Sequence, residues 1–554
     1  MSDSRLILEY VYDHERDHPE RVYLTQPFGG GRTVDYTWGQ VVDQARRMAA
    51  HLREQGVGDG AHVGLLSKNC AHFFIAELAI WMAGGTTVAI FPTEGPDTVR
   101  YVLEHSDAKL LFVGKLDNWS HQEPGVPAGL PRIALPLSPA TPYDRWDDVV
   151  ARTKPLEGRV QRKPDDLAMI IYTSGSTGTP KGAMHSFGRV SAVAEGISGT
   201  LRFAPQDRMI SYLPLAHVFE RAYIECASLV EGPHVYFNET LETFVQDVRR
   251  ARPTLFISVP RLWVKFQQGV LHKMPPKKLD LLLKIPILNN VVRRKILEGL
   301  GLDQVRLAGS GSAPIPAEVI SWYHRLGLNL MEGYAMTEDF AYSHLSTEGA
   351  HRPGYVGVPY PGVDVKISDE GEVLIRSPGQ MVGYYKQPEL TAQSFTEDGF
   401  FRTGDLGERT AEGLLKLTGR AKELFKTAKG KYVAPAPIEN LLGECPMVEM
   451  AMVSGVGQQA AYALVVLAEE LRPKVDDPAV RAEVERELGQ LLERVNGQIP
   501  DYEQLKMLVI AREPPSIENG LLTPTMKIKR AKVETTVAGQ LQKWYAAKGP
   551  VVWA

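Results

Sequence analysis

The stretch with the most chemistry in it is Ile170–Gly182, IIYTSGSTGTPKG. An apolar run that reads as a buried strand opens into Thr173, Ser174, Gly175, Ser176, Thr177 and Gly178, and Lys181 follows. Glycines let backbone N–H groups approach an anion closely, hydroxyls add donors, and a single lysine adds charge. Such a loop suits phosphates. Its spacing is not the G-x-x-x-x-G-K-[ST] of the nucleoside-triphosphatase loop, because Pro180 stands where the second glycine would. A turn rich in Gly and Ser is common on protein surfaces; the whole thirteen-residue string is not.

A loop of this kind needs a sheet behind it. From about residue 37 to 115, helical and strand patterns alternate. VVDQARRMAAHLREQG has amphipathic spacing and ends on glycine, HFFIAELAIWMAGG reads as a buried helix, and HVGLLS, TTVAIF and KLLFVG read as buried strands. That alternation predicts an α/β fold, with a large N-terminal domain of mixed and parallel sheets flanked by helices. Residues 122–165 are polar and proline-rich and read as a connection with little regular structure. Arg261–Leu302 is basic and partly apolar; it reads as a solvated helical excursion, with a membrane-touching helix pair as the alternative. Residues 405–422 are turn-rich and charged, as a domain junction would be. Beyond them, AMVSGV and YALVVLAEE read as strands and RAEVERELGQLLERVNGQ as a helix, a small α+β unit with its own core.

The remaining composition narrows the function. A chain of 554 residues is too long for one compact core. A net charge of -4 gives no general pull toward nucleic acid, so any field for a polyanionic ligand must be local. Cys70, Cys226 and Cys445 are scattered, which excludes a metal-binding C-x-x-C and a disulfide framework and points to a reduced, cytoplasmic compartment. The N-terminus does not read as a signal peptide, and no apolar run reaches the length of a membrane span.

The loop at 170–182 resembles the phosphate loop of the adenylate-forming (AMP-binding) superfamily, which includes acyl-CoA synthetases, luciferases and peptide-synthetase adenylation domains. Further strings resemble that family's motifs in order: GSGSAP (309–314), EGYAMTE (332–338), FRTGDL (401–406), GRAKE (419–423) and NGLLTPTMKIKR (519–530). The resemblance covers most of the chain and implies roles. Gly311, Ser312, Ala313 and Gly333 would lie along the adenine, with Tyr334 stacked on it. Thr337 would donate to the α-phosphate, and Glu338, with Thr173, would hold Mg²⁺. Asp405 would accept from both ribose hydroxyls and Arg420 would reach the ribose. Lys422 would be the hinge residue, dividing a domain 1–418 from a mobile domain 423–554 across 419–422. Lys527 would be the lysine required for adenylation, an assignment that rests on alignment because Lys529 and Arg530 stand close by. Many family members have Gly-Lys at this point, whereas Met526 precedes Lys527 here.

The last motif, YLPLAHVFE (212–220) and VPRLW (259–263) together resemble the long-chain acyl-CoA synthetase branch. By that resemblance His217 would lie near the substrate carboxylate and Trp263 would gate an acyl tunnel. A satisfied core histidine and a core tryptophan are the plain alternatives. The implied reaction joins a fatty acid to ATP as acyl adenylate, releases pyrophosphate, and passes the acyl group to coenzyme A. Carrier-protein loading, luciferase-type oxidation and β-lactone closure are the alternatives within the family. A lipid-binding protein with a relict nucleotide site is the alternative outside it. Peripheral membrane contact and a homodimer are left open by the sequence.

Overall fold

The computed structural model describes residues 5–174, 179–347, 349–517, 519–523 and 527–554. Its largest sheet has eight strands, in the spatial order 383–384, 180–186, 167–174, 86–90, 62–66, 110–113, 132–134, 144–145. From Leu167–Ser174 to Asp144–Arg145 the pairing is parallel; Pro180–Ser186 and Gly383–Tyr384 add antiparallel strands at the other edge. Every residue of His62–Leu66 and Thr86–Ile90 is buried, as unbroken apolar runs in a parallel sheet require. The helix Ala71–Ala83 is also buried all round and has no polar face. It packs on both Thr86–Ile90 and Val22–Pro27, and so lies between two sheets.

The second of these sheets holds Arg208–Ser211, His234–Phe237, Val22–Pro27 and Thr33–Thr37. A third sheet aligns Leu255–Ser258, Leu307–Ser310 and Leu330–Tyr334 in parallel and ends in two short antiparallel strands. Asp364–Ile367, Glu372–Arg376, Phe401–Arg409 and Leu415–Arg420 form an antiparallel sheet. Beyond residue 447, four strands and the helix Pro478–Asn496 close around a separate apolar cluster that includes Val465, Leu488, Leu491 and Leu508. The chain is thus mixed α/β, with a large N-terminal part and a smaller C-terminal one, as the sequence pattern predicts.

Two segments show detail that the sequence pattern does not. Residues 122–165 carry little regular structure, as expected, but what they carry is placed in the main sheet and its flank. Arg132–Ala134 and Asp144–Arg145 extend the main sheet, and the helix Trp146–Arg152 buries Trp146, whose indole N–H donates to Gln44 Oε1 at 3.0 Å. Strands of two or three residues are too short to show a period. Arg261–Leu302 forms three helices, Pro260–Lys273, Pro276–Lys284 and Pro286–Leu300, each opened by proline in its first turn, where the missing N–H costs nothing. Among the described residues no helix is long and apolar enough to cross a membrane.

Candidate active site

A cavity of about 1230 Å³ opens where the strand ends of the large part meet the segments around 420–424 and 523–534. It brings together Thr173, Lys181, His217, Gly311, Ser312, Gly333, Tyr334, Thr337, Glu338, Arg420, Lys422 and Lys527, which the sequence distributes over more than half of the chain. Gly175, Ser176, Thr177, Gly178 and the side chain of Ser174 lie outside the described residues. Ala313 is exposed and does not line the cavity, although Gly311 and Ser312 immediately before it do.

The polar end starts at a hairpin. Leu167–Ser174 and Pro180–Ser186 pair antiparallel, which sets Thr173 opposite Lys181 at the open end of the ladder. The Lys181 ammonium lies 5.7 Å from the centroid of the Tyr384 ring, a cation–π distance. The Tyr384 hydroxyl donates to Glu338 Oε1 at 2.7 Å. One tyrosine therefore spaces a cation and a carboxylate that would otherwise attract each other directly. Glu338 sits in the short turn Thr337–Asp339, braced by the buried Asp339, which accepts from Met336 N at 3.0 Å and Tyr342 N at 3.3 Å. Burial pushes the Asp339 carboxyl up to about 8, so near neutrality it carries little charge to compete with Glu338.

A second polar cluster lies around Asp405. Asp405 and Arg420 face each other across paired strands, and Arg420 Nε donates to Asp405 Oδ1 at 2.6 Å. Tyr334 Oη donates to Asp405 Oδ2 at 2.7 Å. The Asp405 charge raises the Arg420 guanidinium above its ordinary value, and burial with the same carboxylate raises the Tyr334 phenol. Each carboxylate oxygen of Asp405 keeps a further lone pair for a ligand hydroxyl. Two glycines leave room beside it: a Cβ on Gly311 would stand 3.2 Å from the Phe219 ring, and one on Gly333 would stand 3.4 Å from His344 O.

Lys527 enters from the C-terminal part. Its backbone is pinned by two reciprocal bonds, Thr523 N to Lys527 O at 2.8 Å and Lys527 N to Thr523 Oγ1 at 3.0 Å. The side chain is open to the cavity yet has protein on every side. Enclosure first, and then the neighbouring Arg420 guanidinium, lower its ammonium below the ordinary lysine value. Burial, with a smaller push from Lys527, holds His217 at about 3, and its Nδ1 accepts from Phe219 N at 3.3 Å. With Nδ1 accepting, the ring proton is assigned to Nε2. That neutral imidazole is a donor at the junction between the polar end and an apolar arm. Lys422 sits in the exposed turn Ala421–Glu423 at the cavity's edge.

The apolar arm is lined by Leu201, Tyr223, Ile257, Leu307, Met331 and Leu345. Leu307 and Ser310 begin and end one strand, so the arm runs about 10 Å from the polar end along that strand alone. Trp263, expected at a gate, does not line it. The indole is fully buried in a second core, donates to Gly309 O at 3.2 Å and lies edge-on to Phe256 and Tyr323. In this conformation it supports the strand from behind. Sequence reasoning expected an acyl tunnel from the family resemblance but missed Tyr384 and the residues that line the arm. Tyr384 stands in the string VGYYK, which carries no chemical signal until the fold sets it under Lys181.

Among the described residues no group of three or more His, Cys, Asp or Glu side chains could cage a metal ion. A lone carboxylate, Glu338, beside hydroxyls and a lysine fits magnesium carried in on substrate phosphates, since Mg²⁺ keeps most of its waters and takes one or two protein carboxylates. The arrangement can hold a polyphosphate, a vicinal diol and an apolar carboxylic acid in one enclosed space.

Comparison with known proteins places the chain in a family. The model of the AMP-binding enzyme family matches residues 11–385, and that of the AMP-binding enzyme C-terminal domain matches residues 423–549. The peroxisomal long chain acyl-CoA synthetase 7 of Arabidopsis thaliana is 30% identical over 96% of this chain and 85% of its own length. The long-chain-fatty-acid–CoA ligase FadD15 of Mycobacterium bovis is 30% identical over 97% of this chain and 96% of its own. Among solved structures, the A domain of a carboxylic acid reductase from Segniliparus rugosus, in complex with AMP and a carboxylic acid, matches with a TM-score of 0.81 at 23% identity. That match covers 99% of this chain and 95% of that one. The anthranilate CoA ligase AuaEII with anthranoyl-AMP matches with a TM-score of 0.79 at 21% identity, covering 97% and 98%. Likeness at that identity is a likeness of fold.

Proposed function

The chain belongs to the AMP-binding enzyme family, and from that premise we propose that it is a long-chain fatty acid–coenzyme A ligase working through an acyl adenylate. The observation that carries this reading is one cavity lined by Arg420, Lys527, Glu338 and His217 at its polar end, with the buried Asp405 bonded to Arg420, and by an apolar arm at the other. The relatives named for long-chain acids support the choice of substrate.

A carboxylate is a weak nucleophile and is repelled by a polyphosphate. The site counters both problems by position and charge, without an enzyme nucleophile. Asp405 and Arg420 fix the ribose, Tyr334 and Gly333 bound the adenine, and Thr337 donates to the α-phosphate. Lys181 and Lys527 draw off negative charge, and Glu338 would hold a magnesium ion that supplies further charge neutralisation when bound. His217 donates from Nε2 to the acid's carboxylate and keeps one oxygen in line with the α-phosphorus. The new bond joins that oxygen to the α-phosphorus, and the bond to the bridging oxygen breaks, releasing pyrophosphate. The thiolate of coenzyme A then attacks the acyl carbon, the thiol proton goes to solvent, and AMP leaves.

The adenylate hydrolyses readily, which is why the two half-reactions suit an enclosed site. Lys527 occupies the cavity face that the thiol would need. Rotation about Lys422 withdraws that face after the first step, giving domains 1–418 and 423–554 about a hinge at 419–422.

Mass spectrometry of products from Mg–ATP and acids of graded chain length, with and without coenzyme A, tests the proposal. Acyl-CoA and AMP in equal amounts, greatest for the longer acids, is the expected result. Adenylate that persists when coenzyme A is supplied would assign another acceptor. Turnover confined to short or aromatic acids would overturn the long-chain assignment.

A further inference from the structure

We propose that the helical hairpin Pro276–Leu300 docks this protein on an anionic phospholipid bilayer. Ten large apolar side chains are exposed among the described residues, and four of them, Leu281, Ile285, Leu288 and Val291, fall within eleven consecutive positions. They are 62%, 40%, 42% and 47% exposed with the C-terminal part in place, so that part does not cover them. The helices Pro276–Lys284 and Pro286–Leu300 pack on each other and meet at Ile285, which sets Ile285 at the tip of the hairpin.

The other face is already committed. Leu279 on the first helix and Ile296 and Leu300 on the second are buried in a core with Phe244, Val248 and Trp263. Two stripes therefore remain outward: Lys277, Lys278, Leu281 and Lys284 on one helix, and Leu288, Val291 and Lys295 on the other. A bare apolar patch is costly in water, and it has a use only if something covers it.

Charge identifies the cover. Residues 260–300 hold nine Lys and Arg against two Asp and Glu, in a chain whose net charge is -4. Some of these cations have partners: Arg261 bonds Glu449, Lys265 bonds Glu469 at 3.1 Å, and Arg294 bonds Glu298 at 2.7 Å. Lys277, Lys278, Lys284 and Lys295 are exposed and form no ion pair among the described residues. Apolar side chains at a tip flanked by unpaired lysines match the boundary between lipid headgroups and acyl chains, with the lysines left among the phosphates. A second copy of this chain would bring the same positive charge to the contact and repel it. The acidic remainder of the molecule would turn away from the membrane, which fixes the orientation.

Lipid binding by the hairpin is read out independently of turnover. Vesicle co-sedimentation of the full chain tests it, using phosphatidylcholine alone and phosphatidylcholine mixed with phosphatidylglycerol. Binding to the anionic vesicles alone, weakening as salt rises, is expected. Lys277→Gln and Lys284→Gln should each reduce the partition coefficient about fivefold. The combination Leu281→Glu, Ile285→Glu and Leu288→Glu should abolish it. Unchanged melting temperature and unchanged activity on a short soluble acid would show that these exposed substitutions leave the fold alone. No sedimentation of the unaltered protein with anionic vesicles overturns the proposal. So do variants that bind as the parent does, or an apolar patch whose loss only dissolves a dimer seen by analytical ultracentrifugation.

Discussion

At one end of the cavity Tyr334, Asp405, Arg420 and Lys527 form a single electrostatic cluster, in which Asp405 raises the Arg420 guanidinium, burial with Asp405 raises the Tyr334 phenol, and enclosure with Arg420 lowers the Lys527 ammonium. At the other end Leu201, Tyr223, Ile257, Leu307, Met331 and Leu345 form the wall of an apolar arm by packing alone. Polar groups act through direction: a bond at 2.6 Å between Arg420 and Asp405 is lost if either strand slips by one residue. Apolar side chains act through volume, and a neighbour of similar size can replace any of them at small cost. The polar end should therefore fail steeply under single substitutions, whereas the apolar end should shift its preference and stay active.

The largest effect is expected at Lys527. Lys527→Ala should slow adenylate formation about 10²–10³-fold, the usual cost of removing a charge aimed at the transition state. Thioester formation from supplied acyl adenylate should change little. Rapid-quench measurement of the two half-reactions separates these outcomes, and equal losses would break the assignment of Lys527 to the first step alone.

Asp405→Ala comes next. It removes the acceptor for Arg420 and Tyr334 together and leaves the guanidinium unpaired, so kcat/KM for ATP should fall about 10²-fold. A loss seen for the fatty acid and not for ATP would move Asp405 to the wrong end of the cavity.

A smaller change is expected in the arm. Leu307→Trp should shorten the preferred acid and shift the ratio of kcat/KM between long and short acids about tenfold, with turnover of short acids retained. An unchanged chain-length profile would show that the tail runs elsewhere. Trp263→Ala, one layer behind, should lower stability by about 3–5 kcal/mol in denaturant unfolding. It should leave the profile alone, since the indole does not line the arm.

The pH profile should give the mildest effect. Enclosure and Arg420 lower the Lys527 ammonium, so its proton leaves at a pH below that of an ordinary lysine. The first half-reaction should decline as pH rises through that lowered value, and Lys527→Arg should remove the decline. His217, held at about 3, stays neutral from weak acid upward and should contribute no inflection near pH 6 to 7. An acid limb at that pH that disappears in His217→Gln would contradict the enclosure of its ring.

The same contrast governs what the sequence made legible. The polar end was readable because its parts sit in short local strings: residue types alone point to phosphate at Thr173 with Lys181, whereas Tyr334, Glu338 and Asp405 are marked only by the resemblance of their strings to the family's motifs. The alternation of helices and strands from 37 to 115 was readable for a similar reason, since period and burial coincide there. The arm was not legible. Leu201, Ile257, Leu307 and Leu345 come from separate elements, and nothing near each one distinguishes it from other core leucines and isoleucines. Tyr384 was hidden likewise, because its role under Lys181 depends on the edge strand pairing with Ala183 and Met184. Trp263 shows the opposite error: a large side chain in a suggestive string turned out to pack behind the wall and not in it. The strands at 132–134 and 144–145 were too short to leave a pattern.

Oxygen transfer tests the central claim most directly. A fatty acid labelled with ¹⁸O in its carboxyl group, turned over with Mg–ATP and coenzyme A, should leave one labelled oxygen in AMP, because the carboxylate attacks the α-phosphorus and the thiol later breaks the acyl–oxygen bond. Label in pyrophosphate or inorganic phosphate, or AMP without label, would contradict an acyl adenylate at this site.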